Sequence, residues 1–254
     1  MKMSEALEPE VGSAASGSDL RLTETRLKRE DLAGVHQHQL LDPSHLGSSM
    51  SAELVCEVQP DHPLADAVYR IRAALLLAHR NKSGPLTISI VGAERGEGRS
   101  ILAANLAIAF SQLHSRTLLV DADARFGRMH TLFGLPNTGG LARNLAGRGD
   151  LEEGAPAVVR NTLAVLTAGF AANAQELISP MRFGAMMKRL ALKNDVIIVD
   201  TPAWSVGPDA QLIAAETDVA LLVTRLHTAS RARLNDLVRA LSSAGASVLA
   251  VPFD

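Results

Sequence analysis

The stretch Leu86-Thr87-Ile88-Ser89-Ile90-Val91-Gly92-Ala93-Glu94-Arg95-Gly96-Glu97-Gly98-Arg99-Ser100-Ile101 runs from an apolar segment into a glycine-rich turn. Read as a buried strand, a small turn and the opening of a helix, it leaves several backbone N–H groups unpaired beside the positive end of a helix dipole. Such a spot suits a polyphosphate. A strict Walker A loop has Gly where Ala93 stands and Lys where Arg99 stands, so this is a variant of the pattern. Nucleotide contacts are expected along Ala93, Glu94, Arg95, Gly96, Glu97, Gly98, Arg99, Ser100 and Ile101. The N–H groups of Arg95 to Ser100 would surround a β-phosphate, and the Ser100 hydroxyl would sit on Mg2+. The bland alternative is an ordinary strand-to-helix connection with Ser100 exposed on the first turn.

Two more apolar runs end in carboxylates. Thr117-Leu118-Leu119-Val120-Asp121-Ala122-Asp123-Ala124-Arg125 places Asp121 and Asp123 on one side of an extended strand end, where both can face one cation. Val196-Ile197-Ile198-Val199-Asp200-Thr201-Pro202 ends in a single carboxylate. A glycine loop, a carboxylate pair and a lone carboxylate at three parallel strand ends make a Mg-nucleotide site at the top of an open sheet. Ser100, Asp121, Asp123 and Asp200 are the expected metal-site residues. Solvated strand-end carboxylates, and for Asp200 a cap on the Thr201-Pro202 turn, are the structural alternatives.

Together the Gly-Glu-Gly-Arg-Ser loop, the Asp-Ala-Asp-Ala-Arg segment with Leu132-Phe133-Gly134-Leu135-Pro136-Asn137 after it, and Asp200-Thr201-Pro202 resemble the bacterial tyrosine autokinases, more narrowly those that accompany polysaccharide chain-length-determinant proteins. The resemblance covers about Pro63 to Phe253 and includes Gln175-Glu176-Leu177-Ile178-Ser179. It implies phosphoryl transfer from Mg-ATP to protein tyrosine in exopolysaccharide biosynthesis, beside an inner-membrane chain-length partner. It further implies that Asp121 accepts the proton of the attacking hydroxyl, that Asp123 and Arg99 complete the catalytic set, and that homo-oligomers form. Asp66, Arg70 and Arg72 fit only in part the Glu and two Arg that the family uses for ring assembly. Two features depart from the pattern. Arg99 keeps the positive charge of the P-loop lysine but differs from an ammonium in shape and reach. No tyrosine-rich tail is read at Pro252-Phe253-Asp254, and the single tyrosine, Tyr69, is expected to be structural or part of a subunit contact. A nucleotide-binding pseudokinase or ATPase regulator is therefore an alternative. A ParA/MinD-type partitioning ATPase is a second one, opposed by Glu94 at the place of the signature Lys.

With 254 residues and 47% hydrophobic content, the chain can bury one core of about 190 residues. The expected division is 1–60, loosely structured, and 61–254, a P-loop domain. The single cysteine, Cys56, excludes an internal disulfide framework. No apolar run reaches the roughly 18 to 20 residues of a membrane span, which points to a cytoplasmic protein whose link to the inner face of the membrane runs through its partner. A net charge of −2 does not favour nucleic acid. The histidines lack zinc-ligand spacing, and no G-x-S-x-G elbow is present. From Pro63 onward, Leu64, Val68, Ile71 and Leu75 mark one helix face. Strands at 86–91, 117–121, 163–166, 196–200, 219–223 and 247–251 then alternate with helices at 99–114, 128–133, 180–191, 210–215 and 230–243. This order predicts a doubly wound α/β fold with a mostly parallel sheet.

Overall fold

A computed structural model of the chain describes residues 50–146, 154–170, 178–225 and 230–252. Among the described residues seven strands form one sheet: β1 (Leu86–Val91), β2 (Thr117–Asp121), β3 (Ala157–Arg160), β4 (Leu163–Leu166), β5 (Val196–Asp200), β6 (Val219–Thr224) and β7 (Val248–Pro252). Their order is β3-β4-β2-β5-β1-β6-β7, with every pair parallel except β3–β4. The central strands are near-continuous Val, Ile and Leu because both faces are covered. The edge strand β3 is absent from the sequence reading. It lies at the sheet edge with one buried residue in four and a register shift between Val158 and Arg160, so it carries little apolar signal, unlike the equally short β4.

Period-2 alternation splits each strand between two layers. Val196 and Ile198 face a core shared with the helices α1 (Val55–Val58), α2 (Pro63–His79) and α3 (Arg99–Ser111). Ile197 and Val199 face α5 (Gly140–Ala146) and α6 (Pro180–Ala191), which follow the short α4 (Met129–Leu132). Farther along the same side, Val91, Ala220 and Leu222 pack against α7 (Asp209–Ala214) and α8 (Arg231–Ser243). Helix α2 buries Ala65, Val68, Ile71 and Leu75, whose i, i+3, i+4 spacing makes the stripe. Leu64 is only partly buried at its edge. Helix α3 ends at Ser111, three residues before His114, which takes a φ of 61°.

Packing begins upstream of the boundary read at residue 61. Leu54, Val55 and Cys56 are buried in the main core, and Asn105 on α3 receives the Cys56 N–H at 2.9 Å while donating to the Glu53 carbonyl at 2.9 Å. The sequence hides this because a four-residue helix shows no full apolar period. Residues 1–49 of the region expected to be loose, 1–60, and the Gln175 to Leu177 part of the resemblance lie outside the described residues.

Candidate functional site

β5 lies between β1 and β2, so its end is the centre of the site. In register, Asp200 stands opposite Asp121 on β2 and Ile90 on β1. The loop from Gly92 to Gly98 leaves β1 and enters α3 at Arg99. Gly96 and Gly98 have φ of 80° and 89°, and Gly98 is the residue that caps α3. Only a residue without Cβ takes this left-handed turn without strain, and the turn aims the first N–H groups of α3 out of the sheet top. Beside it opens a cleft of about 210 Å3 bordered by Arg95, Gly98, Ser100, Asp123, Phe126 and Arg128, among others.

Ser100 donates its hydroxyl to Asp200 Oδ2 at 2.6 Å. Asp200 is 1% exposed, and its other oxygen, Oδ1, is buried without a hydrogen-bond partner. Burial pushes its carboxyl up to about 7, against the Ser100 hydrogen bond that favours the anion. Asp121 is fully buried. Its Oδ1 accepts the Asp123 N–H at 3.2 Å and its Oδ2 the Met129 N–H at 3.0 Å. Burial, and then the negative charge of Asp200, hold its carboxyl well above the usual range. Two neighbouring carboxylates in a dry strand-end pocket repel one another, and a cation or a proton must relieve them. Gly127 lets the chain pass Asp121 closely, since a Cβ there would lie 2.6 Å from Asp121 Oδ2. Asp123 borders the cleft and uses Oδ1 to accept the N–H groups of Arg125 at 3.2 Å and Phe126 at 2.9 Å.

Arg99 is 8% exposed; its Nε donates to the Thr201 carbonyl at 3.2 Å and its Nη1 to the Glu94 carbonyl. Glu97 is 3% exposed, accepts the Glu94 N–H at 3.0 Å and lies 3.8 Å from Arg99. Burial raises the Glu97 carboxyl. Glu94, at the place of the signature Lys, pairs with Arg233. Ala93 is buried and Ile101 borders the cleft. The structure thus gathers the sequence-predicted site residues around the carboxyl ends of the central strands β1, β2 and β5. Among the described residues no three His, Cys, Asp or Glu side chains converge as a metal cluster. The donor set is instead a hydroxyl with separate carboxylates, which suits Mg2+, an ion that keeps waters and shares substrate phosphates.

Phe126, Gly127, Arg128 and Arg225 escaped the sequence reading. Their roles depend on which loops meet over the cleft, and spacing along the chain carries no such signal. Trp204 sits in a 3-10 turn (Trp204–Val206), donates its N–H to the Gly92 carbonyl at 3.0 Å and packs on the core beside α8. Tyr69 is half-buried, with the Arg72 guanidinium carbon 5.0 Å from its ring centroid. Arg72 also donates to the Ala109 carbonyl, so it faces its own fold, while Asp66 and Arg70 are exposed.

The sequence profile of the cellulose biosynthesis protein BcsQ family matches residues 86–249. The tyrosine-protein kinase YwqD of Bacillus subtilis is 32% identical over 178 residues, covering 70% of this chain and 75% of that one. The tyrosine-protein kinase wzc of Salmonella typhi is 29% identical over 175 residues, 68% of this chain and 24% of its own length. The chain spans about a quarter of the length of several curated relatives it matches, wzc and EpsB among them. The solved kinase domain of the Escherichia coli tyrosine kinase ETK superposes with a TM-score of 0.74 at 26% identity, covering 80% of each chain.

Proposed function

Because the chain belongs to the bacterial P-loop tyrosine-protein kinase family, within the group described by the BcsQ profile, we propose that it binds Mg-ATP and transfers the γ-phosphoryl group to a protein tyrosine. The observation that carries this reading is the Ser100 hydroxyl 2.6 Å from Asp200, whose second oxygen is buried without a partner, at the foot of a glycine-loop cleft.

In this reading the N–H groups of Arg95 to Ser100 hold the phosphates, and Ser100, Asp123, Asp121 and Asp200 hold Mg2+ directly or through water. When bound, the metal neutralises charge between the phosphates. Asp121 accepts the tyrosine proton as the phenolic oxygen bonds to the γ-phosphorus and the bond to the bridging oxygen breaks, leaving ADP. Its raised basicity suits that role. Each Asp121 oxygen accepts one N–H and keeps a second lone pair, but the side chain is fully buried against the turn at 123–129, so substrate entry requires that turn to move.

Tyr69, half-buried against the main core under Arg72, makes a poor acceptor, and the accepting tyrosine is expected outside these 254 residues. The partner is an inner-membrane polysaccharide chain-length-determinant protein whose cytoplasmic segment completes or stimulates the site, which would bring this chain to the inner face of the membrane. Among the described residues no helix is long and apolar enough to cross a membrane. Self-association through the exposed Asp66 and Arg70 face of α2 belongs to the same reading.

The test is incubation with γ-labelled ATP and Mg2+, with and without the partner's cytoplasmic segment. Label on tyrosine is expected, absent in Asp121→Asn although that variant still binds ATP. A second reading, an ATPase-type regulator or pseudokinase, is favoured by the engagement of Arg99 with Thr201 and Glu94. Label released only as free phosphate, or left on ATP, would decide for it.

A further inference from the structure

Four arginines border the cleft: Arg95, Arg99, Arg128 and Arg225. Arg99 is buried against the Thr201 and Glu94 carbonyls and the Glu97 carboxylate. Arg128 pairs with Glu53 at 2.9 Å, and Arg225 has a partner. Arg95 differs. It is exposed, it makes no hydrogen bond or ion pair among the described residues, and its guanidinium carbon lies 3.7 Å from the centroid of the Phe126 ring. The ring is 47% exposed, and its turn is held by the Asp123 carboxylate through the Phe126 N–H at 2.9 Å. A guanidinium stacked by its flat face keeps its N–H edge available, the geometry in which arginine grips phosphate.

We propose that the two loop arginines divide the work that one lysine does in an ordinary P-loop. Arg99 braces the loop against the end of β5, and Arg95, poised over the cleft on Phe126, is the cation that meets the phosphates of the nucleoside triphosphate. Phe126 is its positioning residue. The inference rests on the nucleotide-binding reading above. It also gives Asp123 a second task, since the carboxylate that borders the cleft sets the turn carrying Phe126.

The experiment is calorimetric titration of the full chain with a non-hydrolysable Mg-ATP analogue, paired with thermal unfolding of each variant. Arg95→Ala is expected to weaken binding about ten- to a hundredfold with an unchanged unfolding temperature, the worth of a charge-assisted contact. Its affinity should also depend less on salt than that of the wild type. Phe126→Leu should lose part of the affinity and Phe126→Tyr should keep it. Arg99→Lys should lower the unfolding temperature and bring no gain in affinity. Wild-type binding with Arg95→Ala unchanged overturns this inference alone, as does tighter binding by Arg99→Lys with unaltered stability. A wild type that does not bind the analogue overturns the nucleotide reading and this inference with it.

Discussion

Asp200 shows most directly how one residue stores a functional cost. Its folded carboxyl titrates at about 7 against an ordinary 3.8 because a dry strand end disfavours the anion. Below pH about 4 both folded and unfolded states hold the proton, and the group costs nothing. As pH rises to about 7 the unfolded chain gives up its proton first, so stability is lost across that window and levels off above it. Asp200→Asn removes this titration and relieves Asp121 of a negative neighbour. In metal-free buffer, calorimetric scans near pH 5 and pH 8 should show the wild type losing more unfolding temperature than Asp200→Asn. Parallel profiles would mean that the charge is already compensated in the empty fold. Sequence pattern located Asp200, but its lone unpartnered oxygen and raised basicity come from burial, which no local pattern encodes.

Among the elements, helix α2 is the one whose packing most repays a test. Its buried stripe of Ala65, Val68, Ile71 and Leu75 lies in the same core as α3 and the sheet. Leu75 is fully buried, so Leu75→Ala should cost about 2 to 5 kcal/mol, read as a lower denaturant midpoint with an unchanged slope. A loss below about 1 kcal/mol would show that α2 rests on the domain without sharing its core. The stripe was legible because a helix of 17 residues repeats its apolar period several times. Segment 54–56 was not legible because a four-residue helix shows no full apolar period, and β3 because an edge strand with one buried residue in four carries little apolar signal, whereas the equally short β4 buries three.

On the scale of the molecule, strand order converts three distant motifs into one site. β5 lies between β1 and β2, so ligand held at their ends bridges the two central pairings of the sheet. A ligand that binds only the folded state stabilises it by mass action, about 2.7 kcal/mol at a hundred times its Kd. For a domain of this size that corresponds to roughly 5 to 10 °C in unfolding temperature. Thermal scans should show that rise with ATP and Mg2+ together and a much smaller one with ATP in chelator. Equal shifts in both would remove the carboxylates from any role in holding the metal.

The doubly wound sheet, the central strands and the residues of the loop and carboxylate motifs are legible along the chain alone. Apolar runs, glycine turns and charged strand ends are local and repeat with fixed periods. Folding in three dimensions is what turns Arg99 to Thr201 and Glu94, sets Asp121 and Asp200 at one dry register position, and brings Arg95 onto Phe126. Each of these depends on the approach of chain segments far apart in sequence, where burial and side-chain direction, rather than spacing, set the chemistry.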